Sequence, residues 1–170
     1  NDFRIHLNPA YGGAVDELYL GDDFTTNRVA TPASSSGGLT LVNLDGQPQA
    51  DQEGTLAVIE ASTVRVVVEN SLPELTERYA IYPSGRIVKT VIVEREEEGI
   101  ADFTLSGSAA AFDVAYADAE RSTQVLVGDG NAKDILLAWH EPQFLASASF
   151  DVSASGDSRT VTASVPLPAG

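Results

Sequence analysis

Residues 77–94, ERYAIYPSGRIVKTVIVE, decide how this chain folds. Two runs rich in Tyr, Ile, Val and Thr flank a short break, Tyr82-Pro83-Ser84-Gly85-Arg86. Branched and aromatic side chains suit a pleated, half-buried surface, so each run reads as a strand. Pro83 presets the φ needed at the second position of a type I turn. Gly85 tolerates the positive φ that closes a bulged hairpin. The stretch therefore predicts antiparallel strands near Thr76–Tyr82 and Arg86–Glu94, with Gly85 at positive φ. The acidic run that follows, EREEEG (94–99), ends the second strand. Adjacent carboxylates repel and need water, which places them on a turn at a sheet edge.

The same period of two recurs on both sides. DFRIHL (2–7) sets Phe3, Ile5 and Leu7 against Arg4 and His6. AVDELYL (14–20) puts Val15, Glu17 and Tyr19 on one side and Asp16, Leu18 and Leu20 on the other. Asp22 to Gly38, containing TPASSSGG, is polar and reads as a surface loop. LTLVNL, GTLAVIEA and TVRVVVEN resume the β pattern. DFTLSG, FDVAYAD, TQVLVGDG, DILLAWH and SRTVTASV extend it to the end of the chain. SAAAFDVAYADAER (108–121) is rich in alanine, a helix former. The alternation of Phe112, Val114 and Tyr116 favours a strand. Short strands with turn signals every ~8–12 residues argue for a sandwich or barrel. Missing crossover helices argue against parallel sheets. The expected fold is all-β, an antiparallel two-sheet β-sandwich, over a single domain at 1–170 with no internal repeat.

Composition bounds the function. The chain has 170 residues, 43% of them hydrophobic, with a net charge of −15. Its pI is near 4.2 and its mean hydropathy is −0.04. An acidic field of this size repels phosphate backbones, which argues against nucleic acid and anionic membranes as partners. No run reaches the ~18 apolar residues of a membrane span. Cysteine is absent, so disulfides, thiolate nucleophiles and Cys-ligated metals are excluded. Methionine is absent too, so Asn1 is not a translational start. VPLPAG (165–170) has the composition of an inter-domain linker. Both ends thus suggest a domain excised from a longer chain. Excess carboxylate with lysine only at 89 and 133 fits an extracellular or periplasmic, salt-adapted protein. The simpler reading is genomic base composition with a plain solvated surface.

Two constellations are candidates for chemistry. AWHEPQF (138–144) sets Trp139, the only Trp, beside His140 and Gln143. An indole face can stack on a pyranose while polar neighbours fix hydroxyls. The competing reading is a core Trp at the end of a strand. His140 and Glu141 are an acid and a base in sequence, but strand neighbours point to opposite faces. GDGNAKD (128–134) places Asp129, Asn131 and Asp134 in one turn, oxygen ligands of the type Ca2+ takes. Asp22 and Asp23 add two more carboxylates. The regular acidic repeat and closing Glu of a calcium loop are missing, so a plain Asp/Gly turn is the competing reading. There is no GxSxG elbow, Walker loop or HExxH.

The Tyr-x-Ile-Tyr-Pro-x-Gly-Arg-Ile pattern at 79–87, preceded by GTLAVIEASTVRVVVENS, resembles the β-supersandwich domains related to galactose mutarotase. Such domains occur in polysaccharide lyases and other secreted carbohydrate-active proteins. The resemblance runs from about Ala14 to Glu94. Catalytic members use a His and a carboxylate, and neither His6 nor His140 aligns there. The resemblance therefore implies a non-catalytic accessory module of a secreted carbohydrate-processing protein, with polysaccharide and adjacent domains of the same chain as partners. The alternatives are an extracellular structural or adhesion module and a small mutarotase- or lyase-like enzyme.

Overall fold

Leu75–Ile81 and Ile87–Val93 pair antiparallel around the turn that Pro83 and Gly85 prescribe. The Gly85 amide donates to the Tyr82 carbonyl and the Tyr82 amide to the Arg86 carbonyl, each at 3.0 Å. Gly85 has φ +85°, as a bulged type I hairpin requires. The structure, a computed structural model, describes residues 3–11, 13–29, 39–48, 53–93, 96–108, 114–117, 124–128, 134–138, 149–155 and 158–167. Among the described residues all regular structure is strand except a 3-10 turn at Pro9–Tyr11.

The strands in chain order are β1 (Phe3–Asn8), β2 (Ala14–Leu20), β3 (Leu39–Leu44), β4 (Gln47–Pro48), β5 (Thr55–Ala61), β6 (Val66–Ser71), β7 (Leu75–Ile81), β8 (Ile87–Val93), β9 (Gly99–Ser108), β10 (Val114–Ala117), β11 (Gln124–Gly128), β12 (Asp134–Ala138), β13 (Ser149–Ser155) and β14 (Ser158–Leu167). They form three sheets. One runs β1-β2-β3-β9-β14-β13 with β4 beside β3; another runs β5-β6-β7-β8; the third runs β10-β11-β12. All pairings are antiparallel. The class is all-β and antiparallel, as the period of two dictates. At 114–117 the alternation overrides alanine's helix propensity, and this stretch pairs with β11.

Two expectations need correction. Asp22–Val29 is not wholly surface loop, because it folds back on β2. Arg28 donates its amide to the Leu18 carbonyl at 2.8 Å. Asn27 receives the Leu18 amide at 3.0 Å and donates to the Asp16 carbonyl at 2.9 Å. Arg28 and Val29 are buried where these bonds dock the segment along β2. Nor does the chain leave the sheet at Val165. Val165–Leu167 continue β14 against Ala101, Ile100 and Gly99 of β9. Pro166 is tolerated because its partner Ile100 turns its amide to Asp45 Oδ1 and its carbonyl to the Asp45 amide, so this pair exchanges no ladder bond that needs the missing N–H.

The seven- and four-stranded sheets meet in a small apolar core. Leu44, Leu72, Leu75 and Ala101 are buried there, with Val91, Val93 and Leu167 packed against them. Beyond β8, Glu96, Glu97 and Glu98 are exposed, as like-charge repulsion requires.

Candidate functional site

The register of β6, β7 and β8 gathers four polar side chains on one sheet face. Asn70 pairs with Glu77 and Tyr79 pairs with Lys89. Val66, Val68, Leu75, Ile81, Ile87, Val91 and Val93 have the same parity, so this face is otherwise apolar. The β1–β2 hairpin covers the cluster. Gly13 and Gly54 both lie against the Asn70 amide, where a Cβ at either position would collide with it. Gly54 is tied to the same hairpin by its amide bond to the Pro9 carbonyl at 3.0 Å.

The cluster is nearly closed to water. Asn70, Tyr79 and Glu77 expose 0%, 1% and 2% of their surface. Lys89 Nζ lies 2.6 Å from Glu77 Oε1. Asn70 Nδ2 donates to Glu77 Oε2 at 3.1 Å, and the Tyr79 hydroxyl stands 3.4 Å from the same oxygen. Its one hydrogen is shared between that oxygen and the Gly13 carbonyl, 3.3 Å away. The ammonium sits 5.1 Å from the centre of the Tyr79 ring, within cation–π range. Burial alone would lower the Lys89 pKa. The Glu77 carboxylate and the Tyr79 phenol more than offset it, and the ammonium is held above its ordinary value. An ion pair taken this far from water is costly unless its remaining polar atoms are satisfied, and here Asn70 and Tyr79 serve the carboxylate.

Three other features have chemical content. His6 Nδ1 lies 2.6 Å from Asp16 Oδ1, and Asn8 donates to Asp16 Oδ2 at 2.7 Å. This group is on the surface, with the imidazole 53% exposed. Asp23 Oδ1 receives the amides of Thr25 and Thr26 at 3.0 and 3.1 Å and the Thr25 hydroxyl at 2.8 Å. The hydroxyls of Thr26 and Thr25 hold its carboxyl well below the usual carboxylate range. Asp23 Oδ2 faces Arg28 Nη2 at 3.6 Å. The Asp23 carboxylate thus ties its own loop together, which is the turn reading of that segment. Finally, an open groove of about 640 Å³ lies beside the apolar core. Leu44, Leu72, Leu75, Ile92 and Val93 line it, and Glu74, Glu96 and Glu97 add carboxylates.

Trp139, His140, Gln143, Asp129 and Asn131 lie outside the described residues. Asp134 opens β12 opposite Gly128, and its side chain lies outside the described part. Among the described residues no group of three His, Cys, Asp or Glu side chains has a metal-holding arrangement, and no helix is long and apolar enough to cross a membrane.

The buried cluster escaped the sequence reading, yet it left a signal. In LTERYAI, Glu77 shares parity with Leu75, Tyr79 and Ile81. In IVKTVIV, Lys89 shares parity with Ile87, Val91 and Val93. Opposite charges on the apolar parity of two adjacent strands announce a buried pair. No family model, curated protein or solved structure matches the chain.

Proposed function

We propose that this chain is a non-catalytic β-sandwich accessory module of a secreted carbohydrate-processing protein, with the seven- and four-stranded sheets as the two layers. The observation that carries this reading is the closed Glu77–Lys89–Tyr79–Asn70 cluster. The acid, base and phenol are placed under the β1–β2 hairpin, bonded to one another and to the Gly13 backbone. Such an arrangement joins two layers and leaves little room for a substrate. The open groove suits a weak surface ligand instead. Its wall is mainly polar: the carboxylates of Glu74, Glu96 and Glu97 accept hydroxyl hydrogens, and the exposed Ile92 offers a contact for a C–H face. Val58 in the edge strand β5 and Val64 in the β5–β6 turn, 64% and 66% exposed, suit contact with an adjacent domain.

A panel of neutral and acidic polysaccharides tests the reading, with binding followed by affinity electrophoresis and turnover by released ends. Retardation by a polysaccharide without turnover is expected. Turnover that Glu77→Gln abolishes would replace this reading with an enzymatic one. Trp139→Ala separates the two roles of the indole. A surface platform loses binding with the melting temperature unchanged, whereas a core Trp costs about 3–5 kcal/mol.

A further inference from the structure

The geometry points to an intramolecular amide bond between Lys89 Nζ and Glu77 Cδ, formed by condensation of the buried ion pair on adjacent strands β7 and β8. This inference is independent of what the chain binds. The nucleophile already touches the carboxyl group, with Nζ 2.6 Å from Oε1. The other carboxyl oxygen, Oε2, accepts from Asn70 Nδ2 at 3.1 Å and lies 3.4 Å from the Tyr79 hydroxyl, whose one hydrogen serves either this oxygen or the Gly13 carbonyl. Donors aimed at one oxygen, with an amine beside the other, are the arrangement that stabilises a tetrahedral addition intermediate. Gly13 and Gly54 hold the Asn70 amide in place by leaving it no spare room. The donor is therefore ordered before any reaction begins.

The step balances without another reactant. The Lys89 ammonium passes one proton to Glu77 Oε1, leaving a neutral amine and a carboxylic acid. The Nζ lone pair attacks Cδ, and the charge that develops on Oε2 is met by Asn70 and Tyr79. A second proton passes from nitrogen to Oε1. The Cδ–Oε1 bond breaks, one water leaves, and a neutral secondary amide remains. No atom is oxidised or reduced.

Two terms favour product at this site. Groups held in register react as though at effective concentrations of about 10⁵–10⁸ M. Condensation also replaces two buried charges by one uncharged amide, which removes their desolvation cost. Glu77 and not Asn70 is the acceptor. Glu77 is on the strand next to Lys89, whereas Asn70 is one strand further, about 4.8 Å more to span. The product would tie β7 to β8 covalently in a chain that has no cysteine for a disulfide. The ion-paired ground state keeps the amine protonated most of the time, so the reaction is slow and needs the folded state.

Intact-mass spectrometry of the folded full chain, after prolonged incubation at neutral pH and then denaturation, tests this. The expected mass is one water below the sequence mass. Trypsin should release a branched peptide joining residues 66–78 to residues 87–95, uncleaved after Lys89. Lys89→Arg should restore the full sequence mass. A folded wild-type chain that keeps its full mass overturns the inference, and so does a water loss that persists in Lys89→Arg. Loss of one ammonia in place of water would name Asn70 as the acceptor and overturn the assignment to Glu77. Because the first reading is made on the wild-type chain, it stands even if a variant fails to fold.

Discussion

Replacing Gly13 with alanine should be among the most damaging single-methyl changes in this protein. Two costs add. Gly13 has φ +71°, where an L side chain is strained by about 1–2 kcal/mol. The added Cβ would also drive into the Asn70 amide, which donates to the buried Glu77 carboxylate. Displacing that donor leaves a charged oxygen short of a partner, at about 1–3 kcal/mol. The sum is about 2–5 kcal/mol, or roughly 5–15 °C in melting temperature for a chain of this size. Gly54→Ala isolates the second term, because Gly54 makes the same collision without a positive φ. Urea unfolding of both variants, alone and combined with Asn70→Ala, measures the coupling. With the Asn70 side chain gone, Gly13→Ala should cost only the backbone strain and Gly54→Ala close to nothing. If either change costs the same with and without Asn70, the wedge described around that amide is wrong.

Other outcomes follow from the same geometry. Gly85→Val should cost about 1–3 kcal/mol from backbone strain, since φ is +85° and the nearest atom to an added Cβ is a Phe3 ring carbon at 4.0 Å. A variant that melts like the parent would mean the turn relaxes without loss. Leu75→Ala opens the contact between the two larger sheets and should cost about 2–5 kcal/mol in urea unfolding. Asp23 is held below its ordinary pKa by Thr26 and Thr25. Its contribution to stability is therefore complete above the ordinary carboxylate range and is lost as pH falls below it. Asp23→Asn should lower the urea midpoint at neutral pH and flatten its decline in the acid range. An acid limb as steep as the parent's would show that Asp23 does not carry that term.

The parts of the fold legible beforehand were those set by neighbours in sequence. Pro83 and Gly85 specify a turn whichever strands they join, so the β7–β8 hairpin could be read nearly to the residue. The run Glu96–Glu98 had to meet water because its repulsion is local. The loop from Asp22 departs from a surface loop only at Asn27–Val29 among its described residues, for the opposite reason. It is polar, but its polarity serves β2 through Asn27, and Val29 is buried by that docking. The composition of VPLPAG suggests a linker, whereas its first three residues, Val165–Leu167, complete the ten positions of β14 that pair with β9. Trp139 drew attention as a rare aromatic. Asn70, Glu77, Tyr79 and Lys89 drew none, because each is ordinary until register puts them together.

The sequence alone determined that this chain is antiparallel β, where its sharpest hairpin turns, and that it carries a net charge of −15. Each of these depends on dihedral preference, side-chain alternation or summed charge, which act over a few residues or over the whole chain without regard to path. Tertiary structure decided which strands became neighbours, and with that the meeting of Asn70, Glu77 and Lys89 beneath Gly13. A charge on an apolar parity signals that a partner is needed. Only the pairing of β6, β7 and β8, with a glycine hairpin laid over them, supplies that partner, because a Coulomb contact of 2.6 Å depends on three-dimensional distance and not on separation along the chain.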